Sequence, residues 1–509
     1  MQETPRTGTI DVQAGIHYFP AAAFPEGRRV RRLGVLFHGG EASQTTGDRR
    51  HAGGYSGTDW CEDVDSMVET QTRALSMKWK WPVYVLCTYP ITDYILHLHP
   101  WGVLGQGWAK LLLLYLIFLA VKRHMAGERM ERFPTHKMIA YIAVLGVAYV
   151  VMDTQFITIA LAGYEIDFMY MLIALLLPYA LTREDVVPML KLIVFTGFLM
   201  ALHGVYEYII AAPIPSFWVN LGEHVRTRVY SLFWSSNAFG SYMAFMTPLA
   251  IGIALYEKDR GQRVFYSVAA VFCAATLIFT DTRGAWLAFF GAIVIFTWMI
   301  DKRLTLAVLV LALLSVVFVH SVRARFQVFL SPVYWTKTFA TGRVSEWEHA
   351  YDRMRSNPLF GKGLGRYGGA VASRYFGIQY VDGFYAFMLG ETGLIGLLSY
   401  LALVAVYLRD VWRIWNKTDD RRLKWLFASV FCAILAFTLH AFVENIYQVP
   451  AINMTYWLAG SLVLIYSAGG LKTQASPVQK SQMSSVRRAM APTVSPAQSG
   501  ASPADPASS

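Results

Sequence analysis

Arginines and a carboxylate with the potential for chemistry collect in the second half of the sequence. Arg283 lies in TDTRGAWLAFF, Arg343 lies in GRVSEWEHAYDRMRS, and Asp382 begins the stretch DGFYAFMLGETGLIGLL. A guanidinium binds phosphate oxygens through paired hydrogen bonds and stays charged. A group of arginines could therefore hold a pyrophosphate and stabilise the charge that develops as it leaves. A carboxylate such as Asp382 could accept the proton of a hydroxyl nucleophile.

Each of these residues also has a structural interpretation. Asp382 precedes an apolar helix, where aspartate is a common N-cap, and the sequence leaves the cap and the base equally open. Arginines beside a membrane often extend to lipid headgroups. For Arg283, next to Gly284 in a predicted tight turn, we favour function; for Arg226 or Arg366 taken singly, the headgroup interpretation is at least as good.

Glu391 lies about two turns inside the apolar stretch that follows Asp382, between Gly390 and Gly393. A carboxyl group inside a span is costly, so it usually has a partner or a function. Glycines allow helices to approach closely. We therefore predict that Glu391 has a packing role through an interhelical hydrogen bond or salt bridge.

The glycine-rich segment GKGLGRYGG, which begins at Gly361, has the composition of a phosphate loop. It does not match the GxxxxGK[ST] pattern, so it is a weak signal for nucleotide binding. Its glycines could still let the backbone approach a ligand.

Other polar groups inside predicted spans could line a cavity or join helices, and we favour the second interpretation. They are His203, Glu207, Asp153, Glu165, Asp167, His440, Glu444 and Asn445.

The elements that position these residues are predicted to be membrane helices. Of the 509 residues, 55% are hydrophobic and 16% are charged, against about 25% charged in a typical soluble domain. Apolar runs near 20 residues recur, which is the length that crosses the hydrocarbon core. The sequence therefore predicts an all-α polytopic membrane protein. No metal-binding pattern is found around its four cysteines.

About twelve spans are predicted, and basic residues fall on every second loop, which places both termini in the cytoplasm. The net charge of +11 is then explained by cytoplasmic loops, without nucleic acid as a partner. The spans are 81–98, 102–121, 138–160, 166–182, 187–212, 231–256, 264–281, 284–300, 303–320, 384–408, 424–445 and 450–468.

Three parts follow from this pattern. Residues 1–79 are predicted to be a disordered cytoplasmic extension, or to lie partly upstream of a true start at Met67 or Met77. Residues 80–469 form the transmembrane domain, and residues 470–509 form a disordered cytoplasmic tail.

The loop 321–383, between spans nine and ten, is predicted to form a periplasmic cap. It carries nine lysines and arginines against four acids, which suggests that it holds an anion. Val344, Trp347, Tyr351 and Met354 recur at helical spacing, so we predict an amphipathic helix near the membrane interface. The helix should end by Asn357, because a residue before proline disfavours the α conformation.

The segments quoted above resemble the O-antigen ligase and polymerase superfamily of bacterial surface-polysaccharide assembly. The resemblance covers about residues 225–400 and rests on the segment from Arg228 to Asn237, on TDTRGAWLAF, on GRVSEW with NPLFGKGLGRYG, and on DGFYAFMLGETGLIGLL. It implies an inner-membrane glycosyltransferase that takes an undecaprenyl-pyrophosphate-linked oligosaccharide at the periplasmic face. It implies neither a metal nor another cofactor.

The resemblance also implies roles for single residues. Asp382 and Arg283 would be catalytic. The pyrophosphate and the glycan would be bound by Arg228, Arg343, Arg366, Asn237 and Glu444.

One departure from the superfamily favours one of its activities. Ligases of the superfamily tend to have His-Asn where this chain has Asp382-Gly383. We therefore expect a polymerase of O-antigen or exopolysaccharide repeat units, with a flippase and a chain-length regulator as possible partners. The alternatives are a ligase that transfers glycan to lipid A-core or protein, and a transporter of lipid-linked glycans.

Overall fold

The computed structural model describes residues 80–98, 102–129, 131–215, 218, 226–318, 323, 327, 330–378, 380–468 and 472–473. The predicted extension 1–79 lies outside the described residues, and so does the predicted tail 470–509 apart from residues 472–473.

The described chain is helical, as the sequence predicts. Its α-helices, in order, are α1 Trp81–Tyr84, α2 Tyr89–His97, α3 Gly102–Met125, α4 Pro134–Met152, α5 Ile157–Leu176, α6 Val186–Ile209, α7 Ser236–Tyr256, α8 Arg260–Phe279, α9 Arg283–Ile300, α10 Lys302–Phe318, α11 Pro332–Thr341, α12 Arg343–Ser356, α13 Ala370–Phe376, α14 Phe384–Lys417, α15 Arg421–His440 and α16 Pro450–Ala468. Two short strands, β1 Glu128–Arg129 and β2 Lys472–Thr473, pair antiparallel.

Nine helical segments within the described residues are long and apolar enough to cross a membrane, which confirms a multi-pass membrane protein. They comprise α4 to α9 and α14 to α16. The other three predicted spans fall on α1 with α2, on α3 and on α10, which do not meet the same criteria over the described residues. The count of twelve therefore stays a prediction.

The centre of the bundle is formed by α7, α15 and α16. Their most apolar windows are 89%, 72% and 83% buried, against 28% for α8 and α9. Helix α7 packs against both α8 and α15. A helix that is apolar all round and buried belongs to the core, whereas one with an exposed apolar face belongs at the lipid boundary. The central helices therefore provide the rigid frame on which the polar residues at one end of the bundle are held.

Helices α11, α12 and α13 form the predicted cap between α10 and α14. Helix α12 ends at Ser356 with Asn357 as its C-cap, which confirms the predicted end before Pro358. Its apolar stripe is only partly buried: Met354 is packed inside, whereas Trp347 and Tyr351 are exposed.

After α12 the chain turns into the bundle and pairs with α14 through backbone hydrogen bonds. We call residues 358–365 the inserted segment. The amides of Lys362 and Gly363 donate to the carbonyl oxygens of Gly390 and Glu391, at 2.9 and 2.8 Å. In return, the amide of Leu394 donates to the carbonyl of Pro358 at 2.9 Å. Irregular backbone at membrane depth is tolerated where protein surrounds it and satisfies its polar groups.

This pairing requires glycine on both sides, which corrects the interpretation of GKGLGRYGG as a segment that approaches a ligand. Helix α14 is kinked at Gly393, which has φ of 65° and ψ of −162°. Gly361 has φ of +66°, and a Cβ there would lie 2.5 Å from the amide nitrogen of Gly393. These glycines let the backbone of the inserted segment approach the backbone of α14 closely.

Replacing Gly361 with alanine should therefore destabilise the fold by about 3 kcal/mol or more, because the left-handed conformation and the clash with backbone add. Gly377 is the matched control: it also has positive φ, at +62°, but a Cβ there meets nothing within 4 Å. Gly377→Ala should cost about 1 kcal/mol. Thermal unfolding of both variants in detergent measures the difference, and equal melting temperatures would contradict the role of the inserted segment.

Glu391 lies beneath the inserted segment and is almost completely buried. Its Oε1 accepts a hydrogen bond from the amide of Gly365 at 2.5 Å, and its carboxyl group contacts that of Asp167 on α5. Asp167 in turn accepts a hydrogen bond from Gln448 at 3.0 Å. The partners of Glu391 are thus the inserted segment and another helix, which agrees with a packing role.

Candidate functional site

Five of the predicted site residues form one continuous chain of contacts at the end of the bundle where α7, α9 and α14 begin. We call this set the polar cluster. It consists of Arg228, Asn237, Glu444, Arg343 and Asp382.

The contacts of the polar cluster run from one arginine to the other. Arg228 Nη2 donates to Asn237 Oδ1 at 2.9 Å, and Asn237 Nδ2 donates to Glu444 Oε2 at 2.8 Å. Arg343 Nη2 lies 3.5 Å from the same oxygen of Glu444, and Arg343 Nε lies 3.2 Å from Asp382 Oδ2. Residues more than 200 positions apart in sequence thus meet in one place.

Arg228 and Asn237 are held by the entry into α7. Ser235 is the N-cap of α7, where its hydroxyl accepts a hydrogen bond from the amide of Ala238, so Asn237 lies in the first turn. The Arg228 guanidinium also donates to the carbonyl oxygens of Trp218 and Thr280, at 2.9 and 3.3 Å. These contacts orient the guanidinium so that its Nη2 faces Asn237.

Asp382 is held by α12. Its amide donates to Glu346 Oε2 at 2.7 Å, and its carbonyl accepts a hydrogen bond from Trp347 Nε1 at 3.0 Å. The N-cap residue of α14 is Gly383, which has φ of 101° and no side-chain cap. The Asp382 carboxylate therefore does not cap the helix, which decides against that alternative. It is directed instead toward Arg343.

The electrostatics of the polar cluster differ between its two acids. The Glu444 side chain is 15% exposed, and burial, followed by the nearby charge of Asp382, raises the pKa of Glu444 to about 8. The Asp382 side chain is 35% exposed; burial raises its pKa and Arg343 opposes the rise. The raised pKa favours the neutral form of Glu444, which reduces the negative charge beside Arg228 and Arg343. The cluster can hold an anion and offers an accessible carboxylate beside it.

Arg283 is the first residue of α9 and is half-buried. Its neighbours place it beside the polar cluster. The hydroxyl of Thr282 donates to the carbonyl of Ser236 at 3.0 Å and lies 3.4 Å from Asn237 Oδ1. A Cβ on Gly284 would lie 2.8 Å from Val443 Cγ2, next to Glu444. The predicted tight turn thus brings the backbone of Arg283 to the site.

Arg366 lies elsewhere. Its Nη1 is 2.9 Å from Asp153 Oδ2 and 3.1 Å from Asp153 Oδ1, and its guanidinium lies over the ring of Phe156, 4.3 Å from the centroid. These contacts attach the inserted segment to the turn between α4 and α5. Arg366 is thus engaged by a carboxylate away from the polar cluster.

Other polar groups noted in the sequence join elements within the bundle. Glu207 Oε2 accepts hydrogen bonds from the amides of Tyr230 and Ser231, both at 2.9 Å, which ties α6 to the entry of α7. His440 Nδ1 is hydrogen-bonded to the buried hydroxyl of Ser241. These contacts agree with the interpretation of such groups as joints between helices. Among the described residues, no group of three or more metal-ligating side chains is found.

Sequence reasoning missed three residues of the site: Thr282, Glu346 and Trp347. Thr282 stands beside Arg283 in the quoted motif, but a hydroxyl next to a span carries no signal of its own. Trp347 belongs to the predicted amphipathic pattern of α12, and Glu346 precedes it in the sequence. Their contacts with the backbone of Asp382 depend on how α12 lies across the start of α14, which residue spacing along one helix does not reveal.

Residues 268–401 match the family model described as O-antigen ligase. Over these residues the chain is similar to the O-antigen ligase family. The match covers about a quarter of the chain. The matched residues include Arg283, Arg343 and Asp382, and the rest of the polar cluster lies on either side of them.

The match supports the superfamily indicated by the sequence motifs. Members of this family are membrane enzymes that act on polysaccharide, and the match supports a function of the O-antigen ligase or polymerase type. No curated protein matches the chain.

Proposed function

We propose that this protein polymerises undecaprenyl-pyrophosphate-linked O-antigen or exopolysaccharide repeat units at the periplasmic face of the inner membrane. The observation that carries the proposal is the polar cluster, in which an accessible carboxylate, Asp382, lies between the guanidinium of Arg343 and the start of a membrane helix. A base beside an anion site is what transfer from a pyrophosphate-linked donor requires.

In the proposed reaction, Asp382 accepts the proton of a sugar hydroxyl on the acceptor. The hydroxyl oxygen forms a bond to the anomeric carbon of the donor, and the bond from that carbon to the pyrophosphate oxygen breaks. The pyrophosphate takes the bonding electrons and leaves on its lipid. Arg343, Arg228 and Arg283 stabilise the charge that develops on it.

Asn237 and Glu444 keep the two arginines apart and oriented. Arg343 contacts Glu444 directly, whereas Arg228 is connected to Glu444 through Asn237. Because the raised pKa favours the neutral form of Glu444, this side chain repels an incoming pyrophosphate less than a permanently charged carboxylate would. We assign Arg366 to holding the inserted segment, because Asp153 already pairs with it.

A ligase is the second candidate, supported by the description of the matched family. The two activities share the donor and the base and differ in the acceptor. Asp382-Gly383 in place of His-Asn supports the polymerase, and a carboxylate can do the proton transfer that an imidazole does.

A glycan profile of a deletion strain tests the proposal. We expect single repeat units on the lipid carrier and on the surface where polymer was present before. Intact polymer on the lipid carrier would instead indicate a ligase. Lipid-linked units that accumulate on the cytoplasmic leaflet would indicate a transporter and contradict the enzyme.

Arg283→Ala should abolish polymer formation while membrane insertion stays intact, because the variant loses a guanidinium that we place on the leaving pyrophosphate. Arg226→Ala is the matched control: Arg226 is exposed, and its Nη2 donates to the carbonyl of Ile209 at 2.9 Å, outside the polar cluster. Polymer yield and membrane content of both variants are the measurements. Normal polymer from Arg283→Ala would remove this arginine from the mechanism.

Both termini are proposed to lie in the cytoplasm, since the basic loops fall on one side of the predicted topology. A flippase that delivers lipid-linked units to the periplasmic leaflet and a chain-length regulator remain proposed partners. Neither is needed for the transfer step itself.

A further inference from the structure

We propose that the outer face of α12 is a binding site for the neutral glycan of the acceptor, which rests on the proposed glycosyl transfer. The face is a groove of about 430 Å³ beside Asp382. It is lined by Val344, Trp347, Glu348, Tyr351 and Asp352.

Two aromatic side chains form the apolar part of this groove. Trp347 and Tyr351 are four residues apart and therefore lie on one side of α12. They are 36% and 52% exposed, whereas Ala350 and Met354, each three residues further along the same helix, are buried. Large aromatic rings are costly to leave exposed to water. Amphipathic rings such as those of Trp and Tyr are enriched where a ligand with both apolar and polar surfaces binds. A sugar ring has both, since it presents C–H groups and hydroxyl groups.

Two acidic side chains favour a glycan over lipid as the occupant of the groove. Glu348 and Asp352 each follow one of the aromatic residues and are exposed beside it. Lipid headgroups of bacterial membranes are often anionic and would be repelled by Glu348, and less by Asp352, because Arg355 Nη1 lies 3.8 Å from Asp352 Oδ1. Hydrocarbon would desolvate both carboxylates. Sugar hydroxyl groups, in contrast, donate hydrogen bonds that carboxylates accept. The acids also disfavour a glycan that carries carboxyl groups of its own.

The groove adjoins the main chain of Asp382 through Trp347, which supports its assignment to the acceptor. Trp347 Nε1 donates to the carbonyl of Asp382 at 3.0 Å, and Val344 follows Arg343, whose Nε lies 3.2 Å from the carboxylate. The acceptor hydroxyl must reach Asp382, whereas the donor pyrophosphate must reach the arginines. A glycan that lies along α12 therefore presents its terminal sugar to the base from the cap side.

The test uses the full-length protein in lipid nanodiscs and the soluble repeat-unit oligosaccharide, released from lipid-linked units by mild acid. This probe lacks pyrophosphate and lipid, so it reports the glycan site alone. Saturation-transfer NMR should show binding to the wild type that is about tenfold weaker in Tyr351→Ala. Tyr351→Phe, which keeps the ring, should bind as the wild type does. An oligosaccharide that carries a uronic acid should bind more weakly than the neutral one, and Glu348→Gln with Asp352→Asn should reduce this difference.

Equal binding to the wild type and Tyr351→Ala would overturn the assignment. So would an effect of Tyr351→Ala that depends on the anionic-lipid content of the nanodisc, because the face would then contact headgroups. These outcomes are separate from failure of the proposed function: a wild type that binds the oligosaccharide but forms no polymer from lipid-linked units would reject the transferase and leave a glycan-binding groove.

Discussion

Asparagine in place of Asp382 should reduce the rate of glycan transfer by roughly 100- to 10,000-fold, the usual contribution of a general base. Asparagine keeps the shape of the side chain but accepts no proton. The main-chain contacts of residue 382 with Glu346 and Trp347 do not involve the carboxylate, so the variant should fold. Conversion of purified lipid-linked repeat units to polymer in proteoliposomes measures the rate.

The control for this variant is Asp419→Asn, at an exposed aspartate between α14 and α15, at the opposite end of α14. It should form polymer at the wild-type rate. Undiminished polymer yield and length from Asp382→Asn would remove the base assignment. The proposed transfer reaction would then need another proton acceptor.

Arg343→Ala should lower the transfer rate by roughly 100- to 1,000-fold, which is typical when one donor to a developing negative charge is removed. The variant should also change the pH dependence. The base must be deprotonated, so activity is lost as the pH falls through the pKa of Asp382. Burial raises this pKa and Arg343 opposes the rise, so its removal should move the acid limb of the rate profile to higher pH.

Arg355→Ala is the control on the same helix. Its side chain is 69% exposed and its Nη1 is 3.8 Å from Asp352 Oδ1, a surface pair of little energetic consequence. The acid limb of this variant should coincide with that of the wild type. An Arg343→Ala profile with an unmoved acid limb would show that Arg343 does not act on the base, even if the rate falls.

The sequence was informative wherever the signal lies along one element. The helical class follows from apolar runs, and the end of α12 follows from Pro358, since proline restricts the residue before it. The grouping of Arg228, Asn237 and Glu444 followed from the family resemblance. The structure brings these residues together as expected, although their roles remain proposals.

What the sequence could not reveal depends on contacts between distant backbone groups. The inserted segment is held by amides and carbonyls, which every residue carries, so no residue pattern marks their pairing. The ion pair of Arg366 with Asp153 could not be predicted, because the two residues are 213 positions apart in the sequence. The glycines of GKGLGRYGG did signal a close approach, but not whether a ligand or a helix makes it.

The backbone pairing between the inserted segment and the kinked α14 has a consequence for the integrity of the chain. A polypeptide cut at the exposed Gly377 would give two fragments whose ends still meet through the hydrogen bonds of Lys362 and Leu394 with the other fragment. The two fragments are therefore suited to expression as separate polypeptides that reassemble in the membrane.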